Sequence, residues 1–168
     1  MANLTTFSYF VGEYIVNNIT GTHPAVTVNA SDLNWFIAKY EKEYLKMVMG
    51  DTLYDEFVTG INQVSPETKW TQLKEQLWDS TNYVSPVAAY IWARQRQAKL
   101  TQSSEMGEQK ANVENGAVVS SDRKMIDAYN YAMSEGYLVA QWIQERSTTY
   151  TNQDTDLSRF DIRNDFGI

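Results

Sequence analysis

The stretch that most constrains this chain is Ser85-Pro86-Val87-Ala88-Ala89-Tyr90-Ile91-Trp92-Ala93. Ser-Pro is a helix-start device. The hydroxyl caps free N–H groups, and proline at the first helical position gives up an N–H that would have no partner there. The residues after it are apolar nearly all round rather than along one stripe. A helix of that kind is stable only when other elements surround it. The chain is therefore expected to build a bundle with this helix at its centre. At Arg94 the pattern changes, and Arg94, Gln95, Arg96, Gln97 and Lys99 predict that the helix emerges at a surface.

Helical punctuation recurs on both sides of this segment. Ser31-Asp32 reads as an N-cap pair, and Leu33, Phe36, Ile37, Tyr40, Tyr44 and Val48 follow at helical spacing until Gly50, a natural C′ residue. Asp51 caps a shorter helix carrying Leu53, Tyr54, Phe57, Val58 and Ile61, whose end Gly60 weakens. Ser65-Pro66-Glu67 starts a third, with Trp70, Leu73 and Leu77 as its stripe, Trp78 beside it, and Asn82 as its break. Ser121-Asp122 opens the last. Met125, Ile126, Tyr129, Met133, Tyr137, Ala140 and Ile143 form one apolar stripe there, and Ala128, Tyr131, Ala132, Val139 and Trp142 a second. Two apolar faces predict a central helix or one shared with a neighbouring subunit.

The predicted fold class is mainly α, a bundle of four to five helices with a short β/extended N-terminal arm and a β-hairpin-like loop. The arm spans residues 1–30. Phe7, Tyr9, Val11, Tyr14, Ile15 and Val16 are β-formers, and Ala25 to Asn29 continues in an extended style; a helix across Tyr9–Asn18 is the competing expectation. The bundle domain spans 31–146. Within it residues 103–120 lack helical periodicity, and Asn115-Gly116 between Val113 and Val118-Val119 is a hairpin signal. The tail, 147–168, is polar. In isolation it is expected to be disordered; docked, Phe160, Ile162 and Phe166 are its expected anchors.

Composition narrows the function. The chain has 168 residues, which favours one domain, and no cysteine, which excludes a disulfide scaffold, a thiolate nucleophile and a Cys-based zinc site. Its net charge of −7 and lack of a basic stripe argue against tight sequence-specific DNA binding. The N-terminal segment has no Lys or Arg, and Glu13 interrupts its apolar part, so a secretory signal is not expected. No apolar run reaches membrane-spanning length, and the expected location is the cytosol.

His23 is the single histidine; it lies in a Gly-Thr-His-Pro turn, remote from any activated-serine signature, and alone it cannot form a histidine metal cluster. Asn152, Asp154 and Asp156 alternate like the start of a calcium loop, but Leu157 stands where glycine is needed and Arg163 where glutamate is needed. There is no glycine-rich phosphate loop. Glu41 and Glu43, Asp55 and Glu56, and Glu67 and Glu75 are carboxylate pairs of the kind a glycosidase uses, yet each fits a solvated helix face. Neither an enzyme activity nor a cofactor or metal is expected.

One family resemblance emerges from these residues. Phe36-Ile37-Ala38-Lys39-Tyr40-Glu41-Lys42-Glu43-Tyr44-Leu45 followed by Met49-Gly50-Asp51-Thr52-Leu53-Tyr54-Asp55-Glu56-Phe57 resembles the opening helices of phage and prophage head–tail connector (adaptor, head-completion) proteins. Trp70…Leu73…Leu77-Trp78, Tyr83-Val84, Gly107 to Val119 and Asp127-Ala128-Tyr129-Asn130 agree. The version carried by phages of Bacteroides-type bacteria is the one resembled, over about residues 30–146. The resemblance implies a bundle of four or five helices that assembles head to tail into a ring beneath the portal, touching portal and tail proteins, in the bacterial host cytoplasm and the virion. DNA passes through the channel of such a ring, which a negative subunit suits.

Side chains outside the main stripe are the candidate subunit interface: Trp35, Val113, Val118, Val119, Tyr131, Val139, Trp142, Phe160, Ile162 and Phe166. Trp35 falls with Lys39, Lys42 and Lys46, away from Leu33/Phe36/Ile37, and is expected under the arm or in an interface. Two rivals stand beside the connector: a small helical binding or regulatory module with a host partner, and an acid-dependent hydrolase.

Overall fold

The computed structural model describes residues 3–21, 24–99, 101–104, 107–110 and 121–163. It is mainly helical. The helices are α1 (Pro24–Met49), α2 (Asp51–Ile61), α3 (Thr68–Leu77), α4 (Pro86–Lys99) and α5 (Ser121–Gln144); a two-stranded antiparallel ribbon, β1 (Thr101–Ser104) with β2 (Gly107–Lys110), follows α4.

Helix α4 lies at the centre, packed chiefly on α5 and α1. Every residue from Pro86 to Ala93 is buried, as their all-round apolar character requires. Ser85 starts the helix as expected: its hydroxyl accepts from Ala88 N–H at 3.3 Å and donates to the Leu77 carbonyl at 2.8 Å. That second bond ties the beginning of α4 to the end of α3. Between the two helices Asp79 closes a turn, accepting from Thr81 N–H, Asn82 N–H and the Asn82 amide. These bonds hold its carboxyl below the usual carboxylate range, chiefly through the Asn82 side chain.

Gly50 separates α1 from α2 as the sequence suggests, but Gly50 itself is the cap of α2, and Asp51, expected to cap it, is the first helical residue and pairs with Lys46. The φ of Gly50 is +80°, and its N–H donates to Lys46 O at 2.9 Å, satisfying a terminal carbonyl. Gly60 has a reason beyond helix ending. A Cβ there would lie 2.0 Å from Trp70 Nε1, so the missing side chain lets the indole pack on α2.

Two expectations for residues 1–30 are corrected. Helix α1 begins at Pro24, not at Ser31-Asp32, so the arm–bundle boundary falls inside a helix and Ala25–Asn29 is helical, not extended. Helix propagation explains this. Once Leu33 to Met49 is fixed by the core, each preceding residue adds one hydrogen bond, and Pro24 offers a ready first position. Asp32, mid-helix, pairs with Lys99 of α4 at 2.7 Å instead of capping. The arm itself forms neither a strand nor a helix over 9–18 among its described residues. It runs as two 3-10 turns, Phe7–Tyr9 and Gly12–Tyr14, joined by irregular chain. The hairpin turn expected at Asn115-Gly116 lies outside the described residues; the ribbon of β1 and β2 is upstream of it.

Candidate subunit interface

An interface needs side chains the subunit does not use itself. The ten candidates divide sharply on that criterion. Trp35 is 56% exposed and Ile162 62%. Tyr131 and Trp142 are half-buried, while Val139 and Phe160 are buried within the subunit. Val113, Val118, Val119 and Phe166 lie outside the described residues.

The second apolar face of α5 is the reason for this division. The chain's own ends cover much of it. Tyr14 of the arm stacks on Tyr131, centroids 6.4 Å apart, and burial among these rings pushes the Tyr14 phenol up to about 12. Tyr150 of the tail packs on Trp142 at 5.5 Å and on Trp70 of α3 at 6.2 Å, and its hydroxyl donates to Lys69 O at 2.8 Å. From there the tail runs back along α5. The Gln144 amide donates to Thr155 O at 3.0 Å, Phe160 fills the space over Gly136, and the Asn130 side chain exchanges two hydrogen bonds with the Arg163 backbone. Of the expected tail anchors, Phe160 is one and Ile162 is not. Sequence periodicity missed Tyr150 and Asn130, because their partners lie far away along the chain.

The arm is held by a different device. Glu41 on α1 is only 7% exposed, and its two carboxylate oxygens accept the backbone N–H groups of Leu4 (3.0 Å) and Thr5 (2.6 Å). Trp78 Nε1 donates to Thr5 Oγ1 at 3.0 Å, and Trp92 Nε1 and Arg96 Nη2 both donate to Ile15 O at 3.3 Å. Tyr9 and Phe10 between these points enter the core.

Trp35 does not lie under the arm. It stands on the outer face of α1, with Lys39 Nζ 5.0 Å from its ring centroid and Phe36 edge-on at 5.1 Å. Val28, two turns earlier on the same helix, is 68% exposed. Tyr137 and Leu138 of α5 are exposed as well, near the tail residue Phe160 that packs edge-on against Tyr137 at 6.4 Å.

Of the paired carboxylates singled out in the sequence, Glu41 and Asp55, from two different pairs, line one groove. Glu41 holds the arm. Glu43 accepts from Tyr90 and pairs with Arg94 at 3.0 Å, clamping α1 to α4. The Tyr90 phenol is pushed up by burial first and by the Glu43 bond second. Asp55, Glu67 and Glu75 are exposed, and half-buried Glu56 accepts from tail residue Asn152. The described residues form two larger open grooves. One of about 440 Å³ is lined by Glu13, Tyr14, Lys124, Asp127, Ala128 and Tyr131, and one of about 360 Å³ lies beside Leu4, Ala38 and Glu41. Among the described residues no group of three or more His, Asp or Glu is placed to hold a metal ion, and no helix is long and apolar enough to cross a membrane.

No family model matches this chain, and no curated protein or solved structure matches it.

Proposed function

We propose that this protein is a structural subunit of a phage or prophage head–tail connector. Copies associate head to tail into a ring beneath the portal, and the tail proteins attach to its other side. The observation that carries the reading is a mainly helical bundle with a solvent-exposed Trp35 beside Val28 on the outer face of α1. The bundle is the architecture that the resemblance over residues 30–146 implies. An indole left half out of water on a chain that buries Trp70, Trp78 and Trp92 is a contact waiting for a partner surface, since tryptophan is enriched at the centres of interfaces. Head-to-tail contacts between unlike faces generate a closed ring when the rotation per subunit permits.

The test is to mix the protein with its cognate portal and image the assembly by electron microscopy. The reading requires a ring of this protein, alone or seated on the portal. Absence of a ring in both samples contradicts it. A strict one-to-one complex with a host protein, found by pull-down, would instead make it a helical binding module.

A further inference from the structure

We propose that Trp35 and Lys39 of one copy seat in the groove between the arm and α5 of the next. That groove, of about 440 Å³, is lined by Glu13 and Tyr14 of the arm and by Lys124, Asp127, Ala128 and Tyr131 of α5. The inference rests on the head-to-tail association proposed above and names the face that receives Trp35. Both halves of the contact are incomplete in the single subunit. Trp35 is 56% exposed, and exposed Lys39 holds its Nζ 5.0 Å from the indole centroid and 4.9 Å from that of Tyr40. Among the described residues Lys39 has no carboxylate partner, so its charge is unanswered. The groove has the opposite deficit. Glu13 and Asp127 are exposed without an ion-pair partner among the described residues, and together they outnumber Lys124. Tyr14 and Tyr131 add two half-buried rings, 6.4 Å apart and inclined by 30°.

Charge is what points to a second copy. The chain carries a net −7, so two copies repel one another wherever acid faces acid. They approach favourably only where a cation of one meets anions of the other. Lys39 is a free cation mounted on an exposed indole, and the groove offers two free carboxylates beside two aromatic rings. The pairing is complementary in kind as well as in sign. An indole packs offset or edge-on against tyrosine rings, and an ammonium is drawn to carboxylates and to ring faces alike. The groove also has the size of a side-chain site, since pockets that hold ring-sized ligands run from roughly 300 Å³ upward. Trp35 stands on the outer face of α1, whereas the groove belongs to the arm and α5. In one subunit the two do not meet, and every copy offers one of each. A contact between such unlike faces repeats head to tail.

Two variants separate the halves, each changed only at exposed positions. Trp35→Ala with Lys39→Ala removes the inserted pair and leaves the groove. Glu13→Lys with Asp127→Lys reverses the groove and leaves the inserted pair. Each alone should be a monomer by native mass spectrometry, with helical circular dichroism unchanged, at concentrations where the unaltered chain is assembled. Mixed, the two variants share one complementary contact and should give a one-to-one heterodimer and nothing larger. A groove-reversed chain that oligomerises as the unaltered chain does, or a mixture without heterodimer, overturns the inference. If the unaltered chain still forms rings in that case, the head-to-tail reading stands and its contact lies elsewhere. Rings that need the portal, and that are lost with the Trp35 pair but not with the groove reversal, assign Trp35 to the portal and also overturn the inference. An unaltered chain that stays monomeric with and without the portal overturns both.

Discussion

A methyl group at Gly136 would meet Phe160 Cε1 and the Tyr44 hydroxyl, each at 2.7 Å. Alanine is the better helix former by about 1 kcal/mol, yet overpacking costs about 1–3 kcal/mol, and here two aromatic groups crowd the same point. Gly136→Ala should therefore lower unfolding stability in denaturant and speed protease cleavage around Phe160; unchanged cleavage would contradict the close approach. Tyr44 beneath it is fully buried and donates to Ala132 O at 2.6 Å. Burial is the first cause holding its phenol well above the ordinary value of 10, with Glu135 adding to it. Its contribution is complete below pH 10, where the phenol is neutral in both states. It is lost as pH rises beyond 10, because the unfolded chain then ionises Tyr44 and the native one resists. Alkaline titration should show part of the tyrosinate absorbance rising only together with loss of helical circular dichroism. A full tyrosinate signal near pH 10 with helicity intact would contradict this.

The helices and the two chain ends obey different rules, and that divides what the sequence shows from what it hides. Caps and stripes are local: Gly50, Ser85-Pro86 and the all-round apolar run to Ala93 each act within a turn or two of themselves, so α2, α4 and the stripe of α3 are legible; the start of α3 is not, since the helix begins at Thr68 and leaves Ser65-Pro66-Glu67 outside it. The first turns of α1 are not, since Ser31-Asp32 is a good cap that propagation from the core simply overruns. The arm and tail are least legible. They carry no ladder of their own and are held by Glu41, Trp78, Trp92, Asn130 and Tyr150 across long sequence separations. The candidate interface divides for the same reason: Val139 and Phe160 are spare by periodicity alone, yet both are buried within the subunit. Tyr150 is the test of the tail as part of the fold. It is 1% exposed between Trp70 and Trp142, so Tyr150→Ala should cost about 3 kcal/mol or more, the range of aromatic truncation in a core. A change under ~0.5 kcal/mol, typical of surface positions, would mean that the tail is an appendage.

At the scale of the molecule, the apolar surplus expected from the sequence is smaller than it looked, because the subunit wraps its own α5. Among the described residues the apolar side chains left outside include Trp35 with Val28 on α1, Leu138 of α5 and Ile162 of the tail. The connector proposal makes these surfaces of assembly rather than of chemistry. Native mass spectrometry of the purified protein across a range of concentrations, with and without its portal, tests that most directly. The account predicts discrete ring-sized oligomers, lost in Trp35→Asp while thermal stability stays within ~0.5 kcal/mol, as exposed substitutions do. A monomer at every concentration with the portal present, or oligomers indifferent to Trp35→Asp, would contradict it.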